Sequence, residues 1–290
     1  MNEPAVSFDC CVEGYLNNFQ CDNPSVFEGA PGVMLSPLSD EEKRELKNIS
    51  AFHSGYSFAE WKLEISLSSV TGIGEADNKA EAIIQDVVTS LRLTKSGGVE
   101  IRTLRFRSDN LPPNISFLNN SGVTNPQPSY REGTYQCSGS DLEQTRNIYR
   151  KLQQAVSSRL RIGIGRFNTA YLDYRDEDKL IDNITALEAL LLRESQELSL
   201  RLSLRCACLL RKGDERKTLF EFVKEAYSWR NKLIHGGQYN LPDELVVGQT
   251  KFNKHSFLVF LQQVVRDCIK LSLMNSEMVD KKNLENLNPF

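Results

Sequence analysis

Tyr227-Ser-Trp-Arg-Asn-Lys-Leu-Ile-His-Gly-Gly237 sets an arginine, an asparagine and a histidine at the end of an amphipathic helix, then stops that helix with two glycines. Leu219, Phe222, Val223, Ala226 and Tyr227 recur upstream at helical spacing, and Ile234 continues them, so the stretch predicts one apolar stripe. Arg230 falls four residues after Ala226 and four before Ile234, and so projects from the stripe rather than from the solvent face. Asn231 and His235 are themselves four apart and stack on a neighbouring face. Three polar groups able to bind an anion therefore converge beside a surface that favours burial. Gly236 and Gly237 suit a C-cap, where glycine accepts a positive φ at little cost. His235 then stands in the last turn, where the helix dipole attracts a cation.

Upstream of this helix, the chain from Ser140 reads as nearly continuous helix. Ser140 with Glu143 forms a capping-box pattern, opening a helix to about Leu160. Further helices are expected over Ile162–Tyr174, from Asp176 through Leu191, over Gln196–Leu210, over Lys217–His235, and over Phe257–Leu273. Short connections between them predict an antiparallel helical bundle over 141–278, followed by a polar tail at 279–290.

Residues 1–108 have a different character. The first 50 are broken by glycines and prolines and suggest irregular structure with one or two short strands, with a helix start capped by Ser39 and Glu42. Trp61–Leu67 and Val99–Phe106 alternate as strands around a helix over Lys79–Leu93, which predicts a small α/β or α+β unit. Gly72-x-Gly74 lacks both the third glycine of a dinucleotide loop and the lysine of a P-loop, and reads as a turn. The Pro-, Asn- and Ser-rich stretch 109–140 is the expected connection between the two parts. The fold class is therefore mainly α, with a small mixed unit in front.

With 35 Lys and Arg against 38 Asp and Glu, the net charge of −3 gives no global sign of a nucleic-acid partner. Met1-Asn-Glu-Pro shows neither a basic nor an apolar leader region, and no apolar run reaches the length of a membrane span, so a cytoplasmic protein without a membrane partner is expected. Seven cysteines, an odd number, fit reduced thiols. Cys206-x-Cys208 has no partner pair at metal-site spacing, so no metal and no cofactor are expected.

Arg230-x4-His235, with Asn231 directly after the arginine, resembles the Arg-x4-6-His signature of HEPN domains, a family of small helical bundles. Tyr227 ahead of it, His-Gly-Gly at its end, and Arg175-x-Glu-Asp-Lys-Leu-Ile-Asp-Asn-Ile-x-Ala-Leu-Glu188 upstream are similar to the branch called Apea-like HEPN. The resemblance spans about residues 141–275. It implies a metal-independent endoribonuclease working at a homodimer interface, in anti-phage defence or as a toxin, with an antitoxin or sensor as a further partner. The residue types suit that chemistry. An arginine donates charge-assisted hydrogen bonds to phosphate oxygens, a histidine moves a proton near neutral pH, and an asparagine holds the phosphate or the attacking 2′-hydroxyl. Arg230, Asn231 and His235 are thus the candidate catalytic residues, with Tyr227 in support and Glu188 placed to pair with Arg230 or Arg205.

Arg146, Arg150, Lys151, Arg159, Arg161 and Arg166 give the first bundle helices a basic character able to track a phosphate backbone, though a solvated face accounts for them equally. His53 and His255 have no evident partners. In the HEPN toxins controlled by a nucleotidyltransferase, a tyrosine follows two residues after the histidine. Position 237 is Gly in this chain and Tyr239 comes two later, a departure from that form of control. Two alternatives stand beside the nuclease. One is a non-catalytic HEPN dimerisation module that binds nucleotide or RNA under a partner's control. The other is a plain structural role, Arg230 capping a neighbouring helix and His-Gly-Gly ending its own.

Overall fold

Ten residues near the amino terminus, Phe8–Asn17, form strand β1, and the sheet of the first unit is built on both of its edges. In the computed structural model the described residues are 8–22, 27–28, 32–50, 59–107, 118–119, 133–154, 156–172, 175–275, 277 and 283–284. The chain divides into two compact units, Met1–Arg150 and Lys151–Phe290.

The first unit continues with β2 (Phe19–Cys21), β3 (Phe27–Glu28), β4 (Val33–Pro37), α1 (Asp40–Ser50), β5 (Trp61–Val70), α2 (Ile73–Thr94), β6 (Glu100–Arg107), β7 (Leu118–Asn119), β8 (Tyr135–Cys137) and α3 (Gly139–Leu152). Six strands lie in the order β3-β4-β5-β1-β6-β7, each pair antiparallel, which makes this unit α+β. Val12, Leu16, Leu63, Ile65 and Ile101 form one core with Ala76, Ala80, Ile84 and Val87 of α2. Glu13, one residue out of step with Val12, is also buried, held by Lys62 and Arg107 at 3.2 Å each and by the Tyr15 hydroxyl at 2.9 Å. A buried carboxylate survives only with such partners. Lys62 and Arg107 come from strands far along the chain, so the sequence around Glu13 does not place one of the short strands expected in the first 50 residues at Phe8–Asn17.

The second unit holds α4 (Ser158–Leu172), α5 (Asp176–Leu191), α6 (Leu198–Leu210), α7 (Asp214–Ile234), β9 (Glu244–Val247), β10 (Thr250–Asn253) and α8 (Lys254–Met274). Helix α5 packs against α4, α6, α7 and α8, and its Leu180, Ile184, Leu187 and Leu191 are fully buried. Phe222 of α7 packs against Phe252, Phe257 and Phe260, so the β9–β10 hairpin and α8 close over the middle of α7. Truncating a buried ring of this kind costs about 3–5 kcal/mol.

Several expectations need correction. The helix expected from Ser140 to Leu160 is two helices, α3 and α4, and the reciprocal cap at its start is Ser138 with Asp141, at 2.8 and 3.2 Å. Helix α3 also belongs with the sheet: Leu142 and Tyr149 join its core, Thr145 meets Thr94 at 2.9 Å, and Asp141 pairs with Lys95 at 2.6 Å. The division between units thus falls after Arg150 rather than at 141. Helix α2 begins at Ile73, inside the expected glycine turn, because Glu75 accepts bonds from the Thr71 N–H and hydroxyl at 2.8 and 2.6 Å. The Ser39–Glu42 capping box forms in both directions, at 2.8 and 3.2 Å. The hairpin β9–β10 lies where no strand was expected. Most of 109–132, His53, and nearly all of the 279–290 tail fall outside the described residues.

Candidate functional site

Helix α7 exists where it does because its first turn carries Asp214 and Glu215 against the helix dipole and because Leu219, Phe222, Val223, Ala226 and Tyr227 supply a buried stripe. Its end is a Schellman cap. Gly236 takes a φ of +76°, the Gly237 N–H reaches the Lys232 carbonyl at 2.8 Å, and Gln238 adds a bond to the same carbonyl at 3.2 Å. A Cβ at Gly236 would meet nothing within 4 Å, so the backbone angle rather than crowding calls for glycine there.

Arg230 follows directly on the buried stripe, and its side chain is 20% exposed. Its Nη2 donates to Glu188 Oε2 of α5 at 3.2 Å, and its Nη1 donates to Asn231 Oδ1 at 3.1 Å. The guanidinium also lies 5.7 Å from the centre of the Tyr227 ring, within cation–π range. Burial, and after it the Glu188 carboxylate, pushes the Tyr227 phenol pKa up. Four of the five residues expected at the site are therefore in one connected group, with Arg230 as the point where Glu188, Asn231 and Tyr227 meet. Arg230 Nε is buried with no hydrogen-bond partner among the described residues. An arginine has five N–H donors and this one uses two, so donors remain.

His235 is the residue after α7, with backbone angles of φ −91° and ψ 11°, and its N–H bonds to the Asn231 carbonyl at 3.0 Å. Its side chain is exposed, as is everything from Ile234 to Asn240. Ile234 itself departs from expectation: it is 46% exposed and does not continue the buried stripe. The apolar face of α7 thus runs past the end of its own unit's core.

The alternative partner for Glu188 is taken. Arg205 of α6 makes a two-pronged pair with Glu194 at 2.7 and 2.8 Å and caps the Leu191 carbonyl at 2.8 Å. The hydrogen bonds from Arg205 hold the Glu194 carboxyl down at about 2, against an ordinary value of 4.5.

The six basic residues divide between the two units. Arg146 and Arg150 belong to the first unit, and Lys151, Arg159, Arg161 and Arg166 to the second. Arg159 caps the Leu192 carbonyl at the end of α5 at 2.8 Å, and Arg166 pairs with Asp182 at 2.9 Å, so both are engaged inside their own unit. Arg161 is exposed, and so is His255, in the first turn of α8.

Two contributors were missed from sequence. Glu177, read only as part of an acidic helix start, is buried and accepts the Leu241 N–H at 2.9 Å, which ties the loop after His235 to α5. Lys232 stands 4.1 Å over the Trp229 ring, adding a cation to the end of α7. The i, i+3 spacing of that pair was a legible signal. Among the described residues no cluster of three or more His, Cys, Asp or Glu is arranged to hold a metal ion, and no helix is long and apolar enough to cross a membrane. No protein-family model, curated protein or solved structure matches the chain.

Proposed function

We propose that the chain is a HEPN-type endoribonuclease that cuts RNA without a metal, at a cleft made by two copies of α7. The observation that carries this reading is the Arg230–Glu188–Tyr227 group with Asn231, oriented by α5, beside an exposed His235. Glu188 fixes the guanidinium while spare N–H donors remain for a non-bridging phosphate oxygen, which is where charge accumulates as the 2′-oxygen attacks. His235, in solvent one turn beyond, is free to move the proton of the 2′-hydroxyl or of the leaving 5′-oxygen. One histidine does not perform both transfers at once, and a second copy across the interface supplies the other. Exposed Ile234, next to these residues in the last turn, suits such an interface. A role in phage defence or as a toxin, restrained by an antitoxin or a sensor, follows from the same resemblance.

A second reading, a HEPN-like module that dimerises and binds nucleotide or RNA without turnover, has its own support. Both terminal nitrogens of Arg230 are already bonded within the protomer, one of them to a carboxylate that offsets its charge.

The experiment is incubation of purified protein with labelled RNA in EDTA, beside His235→Ala and an all-deoxy copy of the same strand. Cleavage of RNA alone, lost in the variant, is the expected result, since the 2′-hydroxyl is the nucleophile. Binding without cleavage in every lane supports the second reading instead.

A further inference from the structure

The short parallel pair β2–β8 sets like beside like at every register position: Phe19 with Tyr135, Gln20 with Gln136, Cys21 with Cys137. The first two pairs are in direct contact. The rings stack with centroids 5.7 Å apart at an interplanar angle of 16°, and Gln136 Nε2 donates to Gln20 Oε1 at 2.7 Å. Side chains alternate faces along a strand, so Cys21 and Cys137 lie on the same face as the stacked rings, one step further on. Neighbouring strands run about 4.8 Å apart, inside the window of about 4.4–6.8 Å between Cα atoms that a disulfide accepts. The Asp22 N–H to Cys137 carbonyl bond at 3.1 Å and the Tyr135 N–H to Asn18 carbonyl bond at 2.7 Å hold the two strands in this register from both ends. Neither cysteine is in a disulfide; Cys137 is buried, with its thiol donating to the Ser138 carbonyl at 3.6 Å, and Cys21 is half-buried.

We propose that Cys21 and Cys137 are a paired oxidation site that closes to a disulfide when a low-molecular-weight disulfide is supplied. Cys21, the more accessible of the two, gives its proton to solvent and attacks one sulfur of the small disulfide. A mixed disulfide forms and one small thiolate leaves. Cys137 then gives up its proton and attacks the Cys21 sulfur, forming the Cys21–Cys137 bond and expelling the second small thiolate. The two thiolates take up the two protons, so two protein thiols are oxidised and one small disulfide is reduced to two thiols. The bond staples β2 to the segment that starts α3 and encloses residues 22–136. Cys206 and Cys268 of the second unit are both fully buried and give a small disulfide no point of attack.

The test is treatment of the full chain with oxidised glutathione, alkylation in denaturant, and digestion without reduction for mass spectrometry. The expected result is a Cys21–Cys137 crosslinked peptide, a fall of two from seven alkylatable thiols, and reversal by dithiothreitol. The oxidised protein should melt about 5–15 °C higher, because the bond closes a long loop in the unfolded chain. Cys137→Ser should stop at a glutathione adduct on Cys21, and Cys21→Ser should take up no glutathione. A folded wild-type chain that keeps all seven thiols, holds a stable adduct on Cys21, or crosslinks either residue to a different cysteine overturns the proposal. The wild-type result stands whether or not the variants fold.

Discussion

Helix α5 lies beside two arginine–carboxylate pairs that use the same chemistry to different ends. At the α6 side, Arg205 is 3% exposed, grips Glu194 through two bonds, and spends a further bond on the Leu191 carbonyl. At the α7 side, Arg230 is 20% exposed, holds Glu188 through one bond of 3.2 Å, and keeps a buried N–H unpaired among the described residues. The first pair is closed: three bonds from a buried guanidinium hold the end of α5 to α6. The second is open, and a half-paired guanidinium next to an exposed histidine has capacity left for an anion. Counting donors, more than naming residue types, separates a structural arginine from a candidate catalytic one.

The sharpest way to break this comparison is to remove each arginine in turn. Arg230→Ala should lower RNA cleavage by about 100-fold or more, the scale for losing one preorganised donor to a developing anion. It should leave the melting temperature within a few degrees. Arg205→Ala should do the reverse. It strands Glu194 and an uncapped carbonyl, at a cost of about 3–5 kcal/mol in denaturant unfolding. If Arg230→Ala unfolds the protein and Arg205→Ala leaves it intact, the assignment of roles is inverted.

A smaller effect sharpens the closed pair. The Glu194 carboxyl is held at about 2 in the folded protein, below its ordinary 4.5, so the pair stabilises the fold fully above about pH 4.5. That stability is lost as the pH falls from there towards 2. Glu194→Gln should flatten this part of an acid-unfolding curve, and a curve parallel to wild type would show that the pair carries no such linkage.

The smallest effect concerns the cap that ends α7. Gly236→Ala places a side chain at a φ of +76° with open space around it, so the cost is backbone strain alone, about 1 kcal/mol. Thermal unfolding should register it. A loss of several kcal/mol would mean that the loop after His235 has rearranged.

The helices of the second unit were legible from sequence to within a few residues, as at α7, expected over Lys217–His235 and found over Asp214–Ile234. Helical periodicity is local, and one window of sequence contains the whole signal. The Gly236 cap was legible for the same reason: the bonds it serves lie within one turn. Strand β1 was not, since its Glu13 is buried by Lys62 and Arg107, which no window around residue 13 contains. The allegiance of α3 was hidden likewise, because capping and stripe announce a helix without saying which core will take it.

At the candidate site the division is as clear. The sequence alone determined that Arg230, Asn231 and His235 share one helix end, because 3.6 residues per turn leaves them no other arrangement. Only the tertiary structure decided that Glu188 meets Arg230 while Arg205 closes on Glu194, and that Ile234 comes out to solvent. Those outcomes depend on how α5, α6 and α7 pack, and each carboxylate had more than one cation within reach until that packing was set.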